Sequence, residues 1–120
     1  MITQQTITAT VAAGETGATA DTDLIHGEIL KVAMDVTGNS MDINLDSLGE
    51  QKAQAIIDYT GNTDSTFYPR TPAEDHTGTD VTYDGTNEIY IPFVVYGKLR
   101  LTLASAAAAE TVTVTITYRT

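Results

Sequence analysis

The chain of 120 residues contains no cysteine and no tryptophan, and it holds only three prolines. Without cysteine it can form neither disulfides nor thiolate metal sites, so its stability must come from packing, hydrogen bonding or oligomerisation. It has no apolar run long enough to cross a membrane, and its N-terminus lacks the basic start and apolar stretch of a secretory signal. These absences predict a globular protein that is made in the cytoplasm.

Positive charge is also scarce. Six Lys and Arg residues stand against sixteen Asp and Glu residues, a formal net charge of −10. Such a chain repels phosphate backbones and anionic lipid surfaces, so we expect no nucleic-acid partner and no membrane partner. Basic residues are in excess only near the C-terminus, at Lys98, Arg100 and Arg119. They either protect a sheet edge from aggregation or contact an acidic neighbour, such as another copy of the chain.

Apolar and polar side chains alternate along most of the chain, which is the period of β-strands. The pattern is clearest in residues 99–103 and 112–118, and no segment keeps a helical period beyond two turns. About eight or nine short strands separated by turn residues predict an all-β fold, a single-domain antiparallel β-sandwich of jelly-roll-like architecture over residues 1–120. An immunoglobulin-like strand order stays open, because local periodicity does not encode topology.

Several connections can be predicted from composition. Residues 12–23 are small and polar without periodicity, which predicts a loop, and residues 1–23 form a candidate assembly arm. Residues 37–40 predict a tight turn that joins two strands into a hairpin, and residues 98–119 a C-terminal hairpin. Residues 53–60 favour a strand over a short helix, although a capping-box spacing precedes them.

The central region differs from the rest of the chain. Residues 61–80 hold Pro69 and Pro72 among Gly, Asp and Thr, which predicts a long loop excursion on the surface. The Asp84-Gly85 pair then predicts a hairpin turn. Pro92 predicts an edge strand or a strand broken by a bulge, because proline cannot donate to a sheet ladder.

No motif indicates catalysis or a cofactor. His26 and His76 lack the paired spacing of a zinc site, and there is no Gly-rich phosphate loop or nucleophile elbow. Asp42 and Asp46 share the polar face of one strand, where water keeps both carboxyl groups ionised, so we interpret them as solubilising charge. We expect a protein that is not an enzyme and has no catalytic residues, no cofactor and no metal.

Two short segments begin like a calcium-binding loop. Residues 21–23 and 62–64 each place two oxygen-bearing side chains at alternate positions, but apolar and aromatic residues then break the pattern. Weak calcium binding by either loop stays open.

Three segments, Phe67–Arg70, Tyr83–Glu88 and Tyr96–Leu103, resemble small structural proteins of tailed bacteriophages. The likeness covers about half of the chain and lies in the character and order of the segments. It implies a capsid decoration, or cement, protein: a β-sandwich on the outside of the capsid shell, often a homotrimer, that clamps neighbouring subunits against the pressure of packaged DNA. Its partners would be the major capsid protein and copies of itself, on the capsid exterior of a virion assembled in the host cytoplasm.

The candidate interaction surface consists of aromatic, apolar and basic side chains. They are Ile2, Ile7, Phe67, Tyr68, Arg70, Lys98, Arg100 and Arg119. Within virion biology, the alternative is a neck, tail or fibre-base component. From another class, a carbohydrate- or host-surface-binding module could use the aromatic residues of segment 59–96, although the chain lacks the tryptophan that favours sugar binding.

Overall fold

Eleven β-strands and no helix make up the computed structural model, which describes residues 1–120. The strands are β1 (Ile2–Thr10), β2 (Ala18–Asp21), β3 (Ile25–Thr37), β4 (Met41–Ser47), β5 (Ala55–Gly61), β6 (Ser65–Phe67), β7 (Arg70–Pro72), β8 (Tyr90–Pro92), β9 (Val94–Gly97), β10 (Leu99–Ala104) and β11 (Thr111–Arg119). The strongest alternations of the sequence coincide with β4, β10 and β11, whose burial alternates along each strand.

The strands form two main antiparallel sheets and a short ribbon. One sheet has the order β1-β11-β3-β6 with β9 also paired to β3, and the other has the order β2-β10-β4-β5. The first strand thus pairs with the last, β2 with β10, β3 with β6 and β4 with β5. This nesting is the strand order of a jelly roll, which confirms the predicted sandwich and excludes the immunoglobulin-like order. The ribbon of β7 and β8 forms a separate two-stranded sheet that pairs with neither of the others.

The core lies between the two sheets. It contains 21 buried hydrophobic residues, contributed by the inward-facing positions of both sheets. Ile43 and Leu45 on β4 of one sheet and Val114 and Ile116 on β11 of the other are all fully buried in this layer. Burying a side chain of this size contributes about 1.5–3 kcal/mol relative to leaving it in water, so this layer dominates the stability of the fold.

The hairpins predicted around residues 37–40 and over residues 98–119 are wrong. Strands β3 and β4 flank the turn at residues 37–40 but belong to different sheets, and so do β10 and β11. A turn of this composition reverses the chain equally well between sheets. At the first turn, Gly38 has a φ of 131°, and an added Cβ would lie 2.7 Å from the Glu110 carboxylate, which accepts the Asn39 N–H. Glycine is therefore required there to let the carboxylate approach.

The predicted loop of residues 12–23 is wrong in part. Residues 18–21 form β2, which pairs with β10, and small alternating side chains hid this strand from the sequence pattern. Strand β1 pairs with β11 along nine successive residues. The N-terminal segment is consequently part of a sheet, and it is not a free arm.

The capping-box spacing at residues 47–50 organises a loop instead of a helix. The Ser47 hydroxyl donates to the Glu50 carboxylate at 3.0 Å and accepts the Gln54 N–H at 2.7 Å. The strand predicted after it is confirmed as β5. Gly49 has a φ of 79°, which turns the chain away from a helical path.

Candidate interaction surface

Residues 68–93, which we call the arm, leave the sandwich between β6 and β9. The arm begins with the β7–β8 ribbon, in which Arg70 pairs with Pro92 and Pro72 with Tyr90. None of the 21 core residues lies between residues 58 and 94. The base of the arm is attached to the first sheet by Phe93, whose side chain packs against the core and whose carbonyl accepts the Ile29 N–H at 2.9 Å, and the rest of the arm is held by its own hydrogen bonds. The excursion expected over residues 61–80 is partly ordered as β6 and β7.

Beyond the ribbon, the arm divides into two small hairpins at a three-way junction. The Ala73 N–H donates to the Ile89 carbonyl at 2.7 Å, the Ile89 N–H to the Val81 carbonyl at 3.1 Å, and the Val81 N–H to the Ala73 carbonyl at 2.8 Å. Each of the three segments thus binds the next in a closed cycle. This arrangement fixes both hairpins relative to the ribbon without a hydrophobic core.

An aspartate caps the tip of each hairpin. Asp75 accepts hydrogen bonds from the Thr77 hydroxyl and N–H, and Asp84 accepts the backbone N–H groups of Thr86 and Asn87. These bonds hold the pKa of both carboxyl groups below its usual value. Such Asx turns define the loop conformation locally, as the Asp84-Gly85 pair predicted.

Apolar surface is concentrated on the arm and on β9. Of the ten large hydrophobic residues that are exposed, seven lie within residues 68–96. These seven, which we call the apolar surface, are Tyr68, Tyr83, Ile89, Tyr90, Ile91, Val94 and Tyr96. Scattered exposed hydrophobic residues are ordinary, but a concentration on one projecting element is typical of a binding site.

The β8 strand exposes apolar side chains on both of its faces. Successive strand residues point to opposite sides, and Tyr90 and Ile91 are 58% and 43% exposed. A two-stranded ribbon with neither face covered is only marginally stable in water. The ribbon would bury apolar area on both sides if it were inserted into a groove of another protein.

The apolar surface reaches the outer face of the first sheet at β9, where Val94 and Tyr96 are exposed. Strand register places Ile2, Arg119, Glu28 and Val94 in one row across β1, β11, β3 and β9. Ile2 and Val94, at the two ends of the row, are 61% and 62% exposed. On the next row the His26 ring stacks on Tyr96, with the ring centroids 4.1 Å apart. This stack adds exposed aromatic rings to the outer face of the sheet, beside Val94.

Two polar residues of the β4–β5 connection hold β9 in place. Glu50 accepts the Tyr96 N–H at 3.1 Å, and the Gln54 amide donates both to Glu50 at 2.8 Å and to the Val94 carbonyl at 3.0 Å. Burial raises the pKa of Glu50, but hydrogen bonds from Gln54, Tyr96 and Ser47 together outweigh it and lower the pKa. The β9 end of the apolar surface is thus fixed to the sandwich.

A shallow recess of about 260 Å³ lies where the arm leaves the sandwich. Its apolar wall is formed by Ile56 and Ile57 of β5 on one side and by Phe67, Tyr68 and Pro69 on the other. Tyr68 is 63% exposed at the rim. This recess is large enough to receive an apolar side chain of a partner beside the ribbon.

The structure divides the residues that the sequence predicted for the surface. Ile2, Tyr68 and Arg70 are exposed, as expected. Ile7 and Phe67 instead pack against the core, and the Phe67 ring meets Tyr59 edge to face at 5.6 Å. They are hydrophobic because they complete the sandwich, and of the two only Phe67 contributes to the candidate surface, as part of the wall of the recess.

The basic residues near the C-terminus are largely neutralised within the chain. Arg100 forms a bidentate ion pair with Asp21, with distances of 2.8 and 3.0 Å, and this bond lowers the pKa of Asp21. Arg119 lies 3.6 Å from Glu28. Lys98 is exposed and adds to the positive potential at Asp21. These basic residues mainly neutralise acidic residues of their own chain, so they leave little positive charge for contact with an acidic neighbour.

Six of the seven residues of the apolar surface were missing from the predicted site. Five of them are Tyr83, Ile89, Tyr90, Ile91 and Val94. The sequence did offer one indication of their exposure. They lie beside turn and proline residues, in a region without the continuous alternation that predicts a strand with one buried face. Tyr96 was likewise missing, because its strand looked like an ordinary part of the sheet.

The residues considered for chemistry have structural partners. Asp42 accepts hydrogen bonds from Thr60 and Ser105, and burial, followed by the charge of Asp58, raises the pKa of Asp46. In the two calcium-like segments, Asp21 binds Arg100 and Asp64 accepts the Val36 N–H. Nowhere do three or more His, Cys, Asp or Glu side chains meet in a group that could hold a metal ion.

Comparisons with protein-family models, with curated protein sequences and with solved structures give no significant match. The chain also contains no apolar helix long enough to span a membrane.

Proposed function

We propose that this chain is a non-enzymatic structural protein of a tailed-bacteriophage virion, a capsid decoration protein that binds the outside of the shell and stabilises it. The observation that carries the proposal is the arm, which supplies none of the 21 buried core residues and, together with β9, carries seven of the ten exposed large hydrophobic residues. An element of this kind gains stability only when a partner covers it. Its partners are the major capsid protein and further copies of the chain.

The charge of the arm indicates the chemistry of the docking site. Around its apolar residues the arm carries Glu74, Asp75, Asp80, Asp84 and Glu88 against Arg70 as its one basic residue. The complementary site on a shell subunit is an apolar groove with a basic rim. Each contact between an arm and the shell can be weak, because many copies bind one particle and their contacts add to those that already join the shell subunits.

The overall acidity agrees with this role. A net charge of −10 keeps the free protein soluble and repels it from the packaged nucleic acid, so binding is directed to protein surfaces. The jelly roll is an architecture that viral capsid domains use, although it also occurs in lectins. The fold alone therefore does not distinguish a capsid protein from a lectin, and the capsid-binding experiment described below is needed to do so.

The tyrosines favour a second candidate function, the binding of carbohydrate on a host surface. Tyr68, Tyr83, Tyr90 and Tyr96 are all more than half exposed, and acidic side chains that can accept sugar hydroxyls lie beside them. Aromatic faces packed on sugar rings are a common mode of glycan recognition. A glycan array that gives specific binding, lost on Tyr68→Ala, would favour this function over shell docking.

The direct test is to mix the purified protein with undecorated, expanded capsids of the source phage and to image the particles by cryo-electron microscopy. We expect regular additional density across the shell, with the arm at the contact. Density confined to the portal vertex or the tail would assign the protein to the neck or tail. Bare particles at saturating protein would overturn the virion proposal and leave glycan binding in its place.

A matched pair of variants tests the role of the arm. Ile91→Ser removes an exposed apolar side chain from the ribbon, and Leu24→Ser removes one from a loop outside it. Co-sedimentation with capsids should weaken at least about tenfold for Ile91→Ser and stay unchanged for Leu24→Ser. Equal effects of the two variants would remove the arm from the contact.

A further inference from the structure

The two sheets have four exposed edges, and only one of them lacks protection against pairing with a strand of another molecule. Strands β2, β6 and β9 are three or four residues long, and β5 carries Asp58 and a register shift opposite β4. Strand β1 is nine residues long with no charged residue, no proline and no register shift against β11. Natural proteins protect long edges with such devices, so an edge without them indicates a strand that has a partner.

The free hydrogen-bonding groups of β1 can be assigned from its two ends. Met1 and Thr120 form one hydrogen-bonded pair at the start of the β1–β11 ladder, and the Val11 N–H donates to the Glu110 carbonyl at its end. Bonded and non-bonded positions alternate along an antiparallel pair, so the odd-numbered residues bond to β11. The even-numbered residues direct their N–H and C=O groups away from the sheet. They are Ile2, Gln4, Thr6, Thr8 and Thr10, and all five are exposed.

We propose that two copies of this chain pair through β1, antiparallel about a two-fold axis at Thr6, so that their first sheets join into one continuous sheet. In this register Thr6 faces Thr6 of the second copy, Gln4 faces Thr8, and Ile2 faces Thr10. All five even-numbered residues then occupy hydrogen-bonded positions, which gives about ten backbone bonds. The contact is isologous, the arrangement that closed two-fold dimers require.

Charge and side-chain chemistry favour a second copy over another occupant. Two chains of charge −10 repel each other. Because β1 has no charged residue, the electrostatic repulsion between two copies is smallest when they approach through this strand. Apart from Ile2, its outward side chains carry hydroxyl groups and one amide, and these groups can hydrogen-bond to the same groups of a second copy. The same chemistry already joins β1 to β11, where Thr6 and Thr8 hydrogen-bond to Thr115 and Thr113 at 3.0 and 2.9 Å.

The first test measures association by sedimentation equilibrium over a range of protein concentrations. We expect a reversible dimer, and Thr6→Glu should raise its dissociation constant at least about tenfold by placing two carboxylates opposite each other at the axis. Thr115→Glu is the matched control: it adds the same charge to the same face, next to Thr6 but on a strand whose two edges are already paired. A monomer at all concentrations, or a trimer, would overturn the proposal, as would equal effects of the two variants.

Hydrogen exchange provides a second, residue-resolved test. The amides of Gln4, Thr6 and Thr8 should be protected at high protein concentration and exchange freely on dilution, whereas those of Gln5 and Ile7 should stay protected throughout, because they bond to β11. Concentration-dependent protection elsewhere would place the self-contact on another edge. Because this test uses the protein alone, its outcome is independent of capsid docking.

Discussion

The arm can be shortened at a position that the structure defines. Ala73 and Ile89 are a hydrogen-bonded pair at the end of the β7–β8 ribbon. Replacing residues 74–88 with Asn-Gly would close the ribbon there with a two-residue turn, because that dipeptide adopts the type I′ turn that suits the twist of a hairpin. The change removes both hairpin tips and Tyr83 but leaves the sandwich and β9 intact.

The expected effect on stability is small because two modest terms oppose each other. No core residue is removed. A much shorter connection lowers the entropy of loop closure, which favours the folded state by about 2 kcal/mol at most. The hydrogen bonds of the junction and of the Asx turns are lost. Each loss costs about 1 kcal/mol of stability where water does not replace the bond, and less where it does. We expect the free energy of unfolding to change by no more than about 1 kcal/mol, which is a shift in Tm of about 4–8 °C at most.

The assay compares urea unfolding and capsid co-sedimentation for the native and shortened proteins. Native-like unfolding together with at least about a tenfold loss of capsid binding would place the contact on the removed hairpins. Full binding by the shortened protein would refute their role in docking. A loss of more than about 3 kcal/mol of stability would refute the conclusion that the arm is energetically separate from the core.

Three further substitutions test the account of the fold. Thr22→Val should cost about 1–3 kcal/mol in urea unfolding, because the buried Leu99 N–H loses the hydroxyl that accepts it at 2.9 Å. Gly27→Ala should cost more than about 3 kcal/mol or prevent folding, since its φ is 152° and its Cβ would lie 1.9 Å from the Arg119 carbonyl oxygen. Asp46→Asn should stabilise the protein by about 0.3–0.5 kcal/mol at pH 7. Because the pKa of Asp46 is raised, its carboxylate opposes folding in full above that pKa, so the gain should shrink as pH falls below it and vanish below the ordinary value of 3.8.

The strands themselves could be predicted because their period is local. The alternation in β10 and β11 follows directly from one buried and one solvated face, and it correctly identified both strands. Their assignment to sheets could not be predicted. A turn has the same residues whether it joins neighbours in one sheet or crosses the sandwich, so the two predicted hairpins turned out to be crossings.

The interaction surface was predicted only in outline. Sequence pointed to the excursion and to Tyr68, but it could not distinguish Phe67, which packs on Tyr59, from its exposed neighbour. The distinction depends on which sheet edge the segment joins, and β6 joins β3 through three residues. The ion pair of Arg100 with Asp21 was hidden for the same reason, because it requires the unpredicted strand β2.

The two proposed contacts lie on opposite edges of one sheet. Strand β1 forms one edge, and the arm leaves from the other, where β6 and β9 pair with β3. Pairing through β1 therefore leaves both arms of a dimer free, far apart on a joined sheet, so that a dimer can bind two sites of a shell.

This geometry predicts different capsid-binding defects for the two contacts. Thr6→Glu should keep each arm functional but lose the second attachment, so its apparent affinity should fall while saturation at high concentration is still reached. Shortening of the arm should instead weaken the attachment of each copy by at least about tenfold, whether or not the chain is dimeric. If Thr6→Glu abolished binding altogether, β1 would itself be part of the shell contact, and the separation of the two surfaces would be wrong.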